Sequence, residues 1–223
     1  MSQQRTGSHL LVMILICVCA WTGILLQFST LSHTLLSQGK TWLQCLVQFF
    51  SYFTTTTNTL VAVTTTIALC ATQTKWGSAC IKPSAITAIT VYIMVVGLVY
   101  DVVLRPLGHR QGLARAGSEL VHSAVPLLYI IYWLAYATKG NVTWRSSIRW
   151  LLYPFIYLVF IFIQGMITNW YPYPFMNIVK IGYGGFWLNC FYLLLLFIVL
   201  NIIFISIDKL IAKRIVRVDG KHL

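Results

Sequence analysis

Six apolar runs, each near the length a helix needs to cross a bilayer, leave this chain little choice of architecture. A membrane-spanning helix takes about 20 mostly apolar residues. Such runs lie near residues 10–27, 43–70, 85–104, 119–138, 148–167 and 186–207, and every segment between or beyond them is under twenty residues long. No stretch is left over for a soluble domain. The expected fold is all-α, a polytopic membrane protein with one domain, 1–223, built as a bundle of six transmembrane helices. Charged residues make up 9% of the chain, where a soluble domain carries about a quarter, and mean hydropathy is +0.78.

The few charges are unevenly placed. With six spans, both termini share a side with the second and fourth loops. That side holds eleven basic residues: Arg5, Lys75, Lys82, Lys139, Arg145, Arg149, Lys209, Lys213, Arg214, Arg217 and Lys221. The other side holds five: Lys40, Arg105, Arg110, Arg115 and Lys180. Lysine and arginine favour cytoplasmic loops, so both termini are expected in the cytoplasm. The net charge of +12 then reflects topology and attraction to anionic headgroups, and no nucleic-acid partner is expected. The first run follows Arg5 and His9, but no small-x-small cleavage pattern closes it, so it reads as a retained helix. The six cysteines show no C-x-x-C or zinc spacing and read as small buried hydrophobes.

Two outer connections carry unusual detail. The third, Arg105-Pro106-Leu107-Gly108-His109-Arg110-Gln111-Gly112, ends a helix with proline and glycine. The fifth, Asn169-Trp170-Tyr171-Pro172-Tyr173-Pro174-Phe175-Met176-Asn177, sets four aromatics around two prolines. Trp and Tyr favour the headgroup level, yet each proline also fixes φ and stiffens the segment. Trp170, Tyr173, Pro174 and Phe175 therefore read as a rigid lid over the outer mouth of the bundle.

Polar groups at membrane depth are few and either find partners or do work. On the second run, Phe50, Thr54 and Asn58 recur every four residues and share a face, with Thr57 beside them. Threonine in such a helix commonly bonds its own i−4 carbonyl, and Thr64, Thr65 and Thr66 are assigned to that role. The Thr54–Asn58 group differs because an amide joins it and can donate to an oxyanion. His122 is the only histidine well inside a run; His9, His33, His109 and His222 fall in tails or loops. Glu119, three residues earlier, or Asp101 can accept from one imidazole nitrogen and leave the other basic. Asp101 and Arg105, at i and i+4, read as a neutralising pair or as a contact for a substrate headgroup. A metal site lacks ligands, because Glu119-x-x-His122 occurs once and His122 has no histidine partner at its depth. Neither metal nor cofactor is expected. Depth is a difficulty: at about 1.5 Å per residue, Thr54 lies on the order of 16 Å into its span and His122 about 6 Å into its own. They meet only if the second helix begins later or the fourth begins well before Ser118.

Tyr52-Phe53-Thr54 with Asn58, Tyr100-Asp101, His122 with Pro126, and Trp170 with Tyr173-Pro174-Phe175 follow one another in an order that resembles the androgen-induced and androgen-dependent membrane hydrolase family. The likeness is greater to its bacterial six-helix relatives and spans nearly the whole chain. Eukaryotic members cleave fatty acid esters of hydroxy fatty acids within the membrane, with a threonine nucleophile and a histidine. The resemblance implies Thr54 as nucleophile and His122 as base, a bacterial cytoplasmic membrane as location, and membrane lipids or fatty acid esters as partners. Two features depart from the pattern: four consecutive threonines blur the register, and Pro126 stands one position nearer the histidine.

The expected activity is therefore intramembrane hydrolysis of a lipid ester. Thr54 attacks, His122 accepts its proton, Asn58 or Arg105 steadies the oxyanion, and Asp101 or Glu119 orients the imidazole. The alternative is a non-catalytic lipid-binding or structural membrane protein, in which the hydroxyl cluster is helix glue.

Overall fold

The computed structural model of the protein describes residues 7–108 and 110–219, and the described residues form helices and turns with no strand. Among them, five helices are long and apolar enough to cross a membrane: Gly7–Ser37, Pro83–Leu107, Gly112–Tyr136, Trp144–Thr168 and Ile178–Val216. The first is α1 (Gly7–Ser37), which runs ten residues past its expected end at residue 27. Along its extension hydroxyls bond back to the helix, such as Thr30 Oγ1 to the Leu26 carbonyl at 2.9 Å. His9 and His33, expected in a tail and a loop, both lie on α1. Arg5, His109, Lys221 and His222 lie outside the described residues.

The run expected as one helix over 43–70 is two. The first piece is α2 (Trp42–Phe50), opened by a capping box in which Thr41 and Gln44 satisfy each other's backbone N–H groups. Ser51 closes it, its hydroxyl on the Val47 carbonyl at 2.6 Å. Tyr52 is extended, with φ −85° and ψ 129°, and α3 (Phe53–Cys70) begins after it. At 18 residues α3 matches a span in length, but its threonines and Asn58 leave it less apolar than the other five. The hydroxyl run that draws attention to this helix is the reason it is not among them.

The short α4 (Lys75–Cys80) follows, capped by Thr74. Next comes α5 (Pro83–Val99), which starts on a proline whose missing N–H costs nothing at that position. A π-helical turn over Tyr100–Leu104 and a 3-10 turn over Arg105–Leu107 continue it. The helix expected from residue 119 begins earlier, as α6 (Gly112–Glu119). It passes through a second π-helical turn, Leu120–Ala124, into α7 (Val125–Tyr136).

The chain gathers into two compact units divided between Ala137 and Thr138. In the first, α1 packs on α3, α6 and α7, while α5 packs on α3 and α7. The interior holds Ile16, Val61, Val91, Ile93, Val125 and Trp133, all fully buried. Polar contacts cross this interior too: Trp133 Nε1 donates to Thr87 Oγ1 at 2.9 Å, and Thr87 in turn donates to the Pro83 carbonyl.

The second unit holds α8 (Trp144–Trp150), α9 (Leu152–Thr168) and α10 (Ile178–Asp219). The Gly140 N–H donates to Asp208 Oδ2 at 2.9 Å, and Lys209 Nζ lies 4.8 Å from the Trp144 ring centre. These two contacts dock the segment before α9 on α10. The aromatic segment after α9 is anchored within its own unit. The Tyr171 ring fills the space above Gly165, where any Cβ would collide with it. Tyr173 and Phe175 stack at 5.2 Å, and Asn189 Nδ2 donates to the Phe175 carbonyl at 2.7 Å. Trp170 is half-buried and Pro174 opens a 3-10 turn.

Thr87→Val leaves the buried Trp133 indole N–H without an acceptor, an expected loss of about 1–2 kcal/mol. Thr64→Val removes a hydroxyl bonded only to its own helix and is expected to stay within about 0.5 kcal/mol of wild type. Equilibrium unfolding in detergent micelles compares the two variants, and equal losses contradict the assignment.

Candidate functional site

Both π-helical turns of the first unit meet at one place. A π turn lets the backbone bulge by one residue and re-aims the side chains on it, and such turns recur at functional sites. The turn after α5 carries Tyr100 and Asp101; the turn after α6 carries His122 and Ser123, with Ser118 and Glu119 just before it. Gly97 permits their approach, since a Cβ there would lie 3.1 Å from the His122 carbonyl oxygen and 3.4 Å from Pro126 Cβ.

His122 is buried, with 5% of its surface exposed. Its Nδ1 stands 2.8 Å from the Ser118 carbonyl oxygen and 3.2 Å from Ser118 Oγ. A carbonyl oxygen only accepts, so Nδ1 carries the hydrogen and Nε2 keeps the lone pair. Tyr100 lies flat against the imidazole, with ring centres 3.9 Å apart and planes 18° from parallel. The Tyr100 hydroxyl accepts from Ser118 Oγ at 3.0 Å. Ser118, Tyr100 and His122 thus form one buried cluster.

The two carboxylates expected to orient the imidazole do something else. Arg105 Nε donates to Asp101 Oδ1 at 2.9 Å, and its Nη1 and Nη2 form a fork on Glu119 at 2.8 and 2.9 Å. Nη2 also donates to Ser123 Oγ, which donates to Glu119 Oε2, both at 3.0 Å. The Asp101–Arg105 pair read from the i, i+4 spacing is present, widened to a second carboxylate. The orienting role falls instead to the backbone carbonyl of Ser118. These partners take four of the five guanidinium N–H groups of Arg105 and leave one, on Nη1.

Asn58 has no exposed surface. Its Nδ2 donates to the Thr54 carbonyl at 2.9 Å and to the Val121 carbonyl at 3.1 Å. Both amide hydrogens are thereby committed, so Asn58 does not serve as an oxyanion donor; its Oδ1 is buried without a partner. The second bond has a clear origin. At the π turn the Val125 N–H bonds back five residues to Leu120. In that register the Val121 carbonyl looks to residue 126, which is proline and has no N–H. Asn58 supplies the missing donor and ties α3 to the turn one residue before His122.

Thr54 is half-buried in the first turn of α3. Among the other threonines, Thr56, Thr64, Thr65 and Thr66 all donate to carbonyls of their own helix. Thr59 Oγ1 is buried and unpartnered. Two boundaries that enter the depth comparison differ from expectation: α3 starts afresh at Phe53, and α6 begins six residues before Ser118. Trp170, Tyr173, Pro174 and Phe175 belong to the second unit. Among the described residues no three His, Cys, Asp or Glu side chains gather as metal ligands. The sequence marked Tyr100 only as part of the Tyr100-Asp101 pair, without a role, and did not mark Ser118 or Ser123 as site residues; the i, i+4 spacing of Ser118 and His122 was the available signal.

Asn58→Leu strips the Val121 carbonyl of its donor and is expected to cost about 1–3 kcal/mol. Pro126→Ala restores an N–H at the position that carbonyl looks to, so the same substitution in that background should cost less. A double-mutant cycle on unfolding free energy reads the difference, and zero coupling contradicts this origin of the bond.

Compared with protein-family models, curated proteins and solved structures, the chain matches none.

Proposed function

We propose that the protein is an intramembrane lipid-ester hydrolase with His122 as general base and Thr54 as nucleophile, acting on fatty-acid-ester-like substrates. One observation carries the reading. A single amide nitrogen, Asn58 Nδ2, touches the carbonyl oxygens of Thr54 and of Val121, the residue before His122. The threonine run and the imidazole therefore belong to neighbouring turns of two packed helices. The tautomer adds to it, because Nδ1–H on Ser118 leaves the Nε2 lone pair to take a proton.

In the proposed reaction Thr54 Oγ attacks the ester carbonyl as its proton passes to His122 Nε2. The tetrahedral adduct collapses, the imidazolium gives that proton to the departing alkoxide, and an acyl-threonine remains. Water, deprotonated by the same nitrogen, releases the fatty acid and restores the hydroxyl. Asn58, with both amide hydrogens committed, takes no part as an oxyanion donor; of the two expected donors Arg105 keeps one N–H for that role.

The membrane setting belongs to the same proposal. The five apolar helices and α3 make six crossings, with both termini in the cytoplasm of a bacterial cell. The second reading, a non-catalytic lipid-binding or structural protein, draws on the threonine hydroxyls that bond their own helix.

Hydrolysis of fatty acid esters of hydroxy fatty acids by purified protein in liposomes separates the two. The catalytic reading expects His122→Ala and Thr54→Ala each to lower kcat by about 10²–10⁴-fold with the fold intact. Turnover that survives both substitutions rules out this mechanism. A wild type without turnover favours the structural reading.

A further inference from the structure

We infer that Tyr100 is a positioning residue for His122, taking the place that a carboxylate holds in a familiar acid–base–nucleophile triad. The inference rests on the reading of His122 as the base and deepens it. Imidazole orientation needs more than one hydrogen bond, because a ring held only at Nδ1 still rocks about that bond. Here Ser118 fixes the edge of the ring and Tyr100 fixes its face, at 3.9 Å and 18°. Stacked aromatic rings attract one another beyond the area they bury, so the phenol resists rotation of the imidazole out of its plane.

Tyr100 is itself unusually well held. Its hydroxyl accepts from Ser118 Oγ at 3.0 Å, so the residue that receives the imidazole N–H also locks the phenol. The Arg105 guanidinium carbon sits 5.0 Å from the Tyr100 ring centre, a cation–π distance. Arg105 cannot swing away, because Asp101, Glu119 and Ser123 occupy its nitrogens. This gives the half-exposed ion network a task. It holds Tyr100, and through Tyr100 it acts on a base that neither carboxylate touches. Both π turns are needed for the arrangement: one delivers Tyr100 and the other His122.

The test reads the imidazole directly and needs no substrate. Protein labelled with 15N-histidine is studied by NMR in nanodiscs, with His122→Gln assigning the His122 signals among the five histidines. Wild type is expected to show Nδ1 protonated and Nε2 bare. Tyr100→Phe keeps the stack and should keep that tautomer. Tyr100→Leu removes the ring and should give a tautomer mixture and a moved pH midpoint; Tyr100→Met, closer in volume, replaces it if the leucine variant fails to fold. In turnover assays the stack-deleting variant should lose about 10- to 100-fold in kcat with KM little changed, and phenylalanine should restore most of it. A folded Tyr100→Leu or Tyr100→Met protein with the wild-type tautomer and midpoint overturns the inference. Failure of wild type to hydrolyse any ester falls on the hydrolase reading alone, because the NMR result stands without turnover.

Discussion

The site in the first unit depends on one hydrogen bond, from the Asn58 amide to the Val121 carbonyl at 3.1 Å. Pro126 has no N–H to offer that carbonyl, and a buried carbonyl without a donor costs about 1–3 kcal/mol. In an apolar interior that demand is met from a neighbouring helix or not at all. Asn58 meets it and spends its second hydrogen on the Thr54 carbonyl of its own helix. The register between the threonine run and the turn that carries His122 is thereby fixed by the chemistry of a proline.

Charge is arranged around the same place by a similar economy. Two of the four acidic residues in the chain, Asp101 and Glu119, converge on Arg105. A guanidinium fork matches a carboxylate better than an imidazole edge does, so the arginine takes both acids and the histidine turns to a backbone carbonyl. Exposed ion pairs of this kind add little to stability. Their consequence is geometric: they immobilise Arg105 beside Tyr100, and Tyr100 against His122.

Some of this was legible in the sequence. The apolar runs anticipate an all-helical chain with several helices long enough to cross a membrane. The spacing of Asp101 and Arg105 anticipates their pairing, and the depth of His122 marks it as unusual. The break at Ser51–Tyr52 was not legible, because neither residue is a proline or glycine and nothing local forbids a continuous helix. The early start of α6 was hidden by Arg115 and Gly117, which read as loop. The π turns were hidden for a deeper reason. They depend on Gly97 admitting a neighbouring backbone and on Asn58 reaching across from another helix, and both are tertiary facts. Tyr100 lies in such a turn, and its stacking partner is 22 residues away in the sequence.

The central claim is that a threonine of the 54–57 run is a nucleophile activated by His122. Incubation of the folded protein with an active-site-directed fluorophosphonate, followed by tandem mass spectrometry of its peptides, tests it most directly. The account predicts a covalent phosphonate on a threonine between 54 and 57 that His122→Ala abolishes. An unlabelled wild type, or a label that persists in His122→Ala, contradicts it.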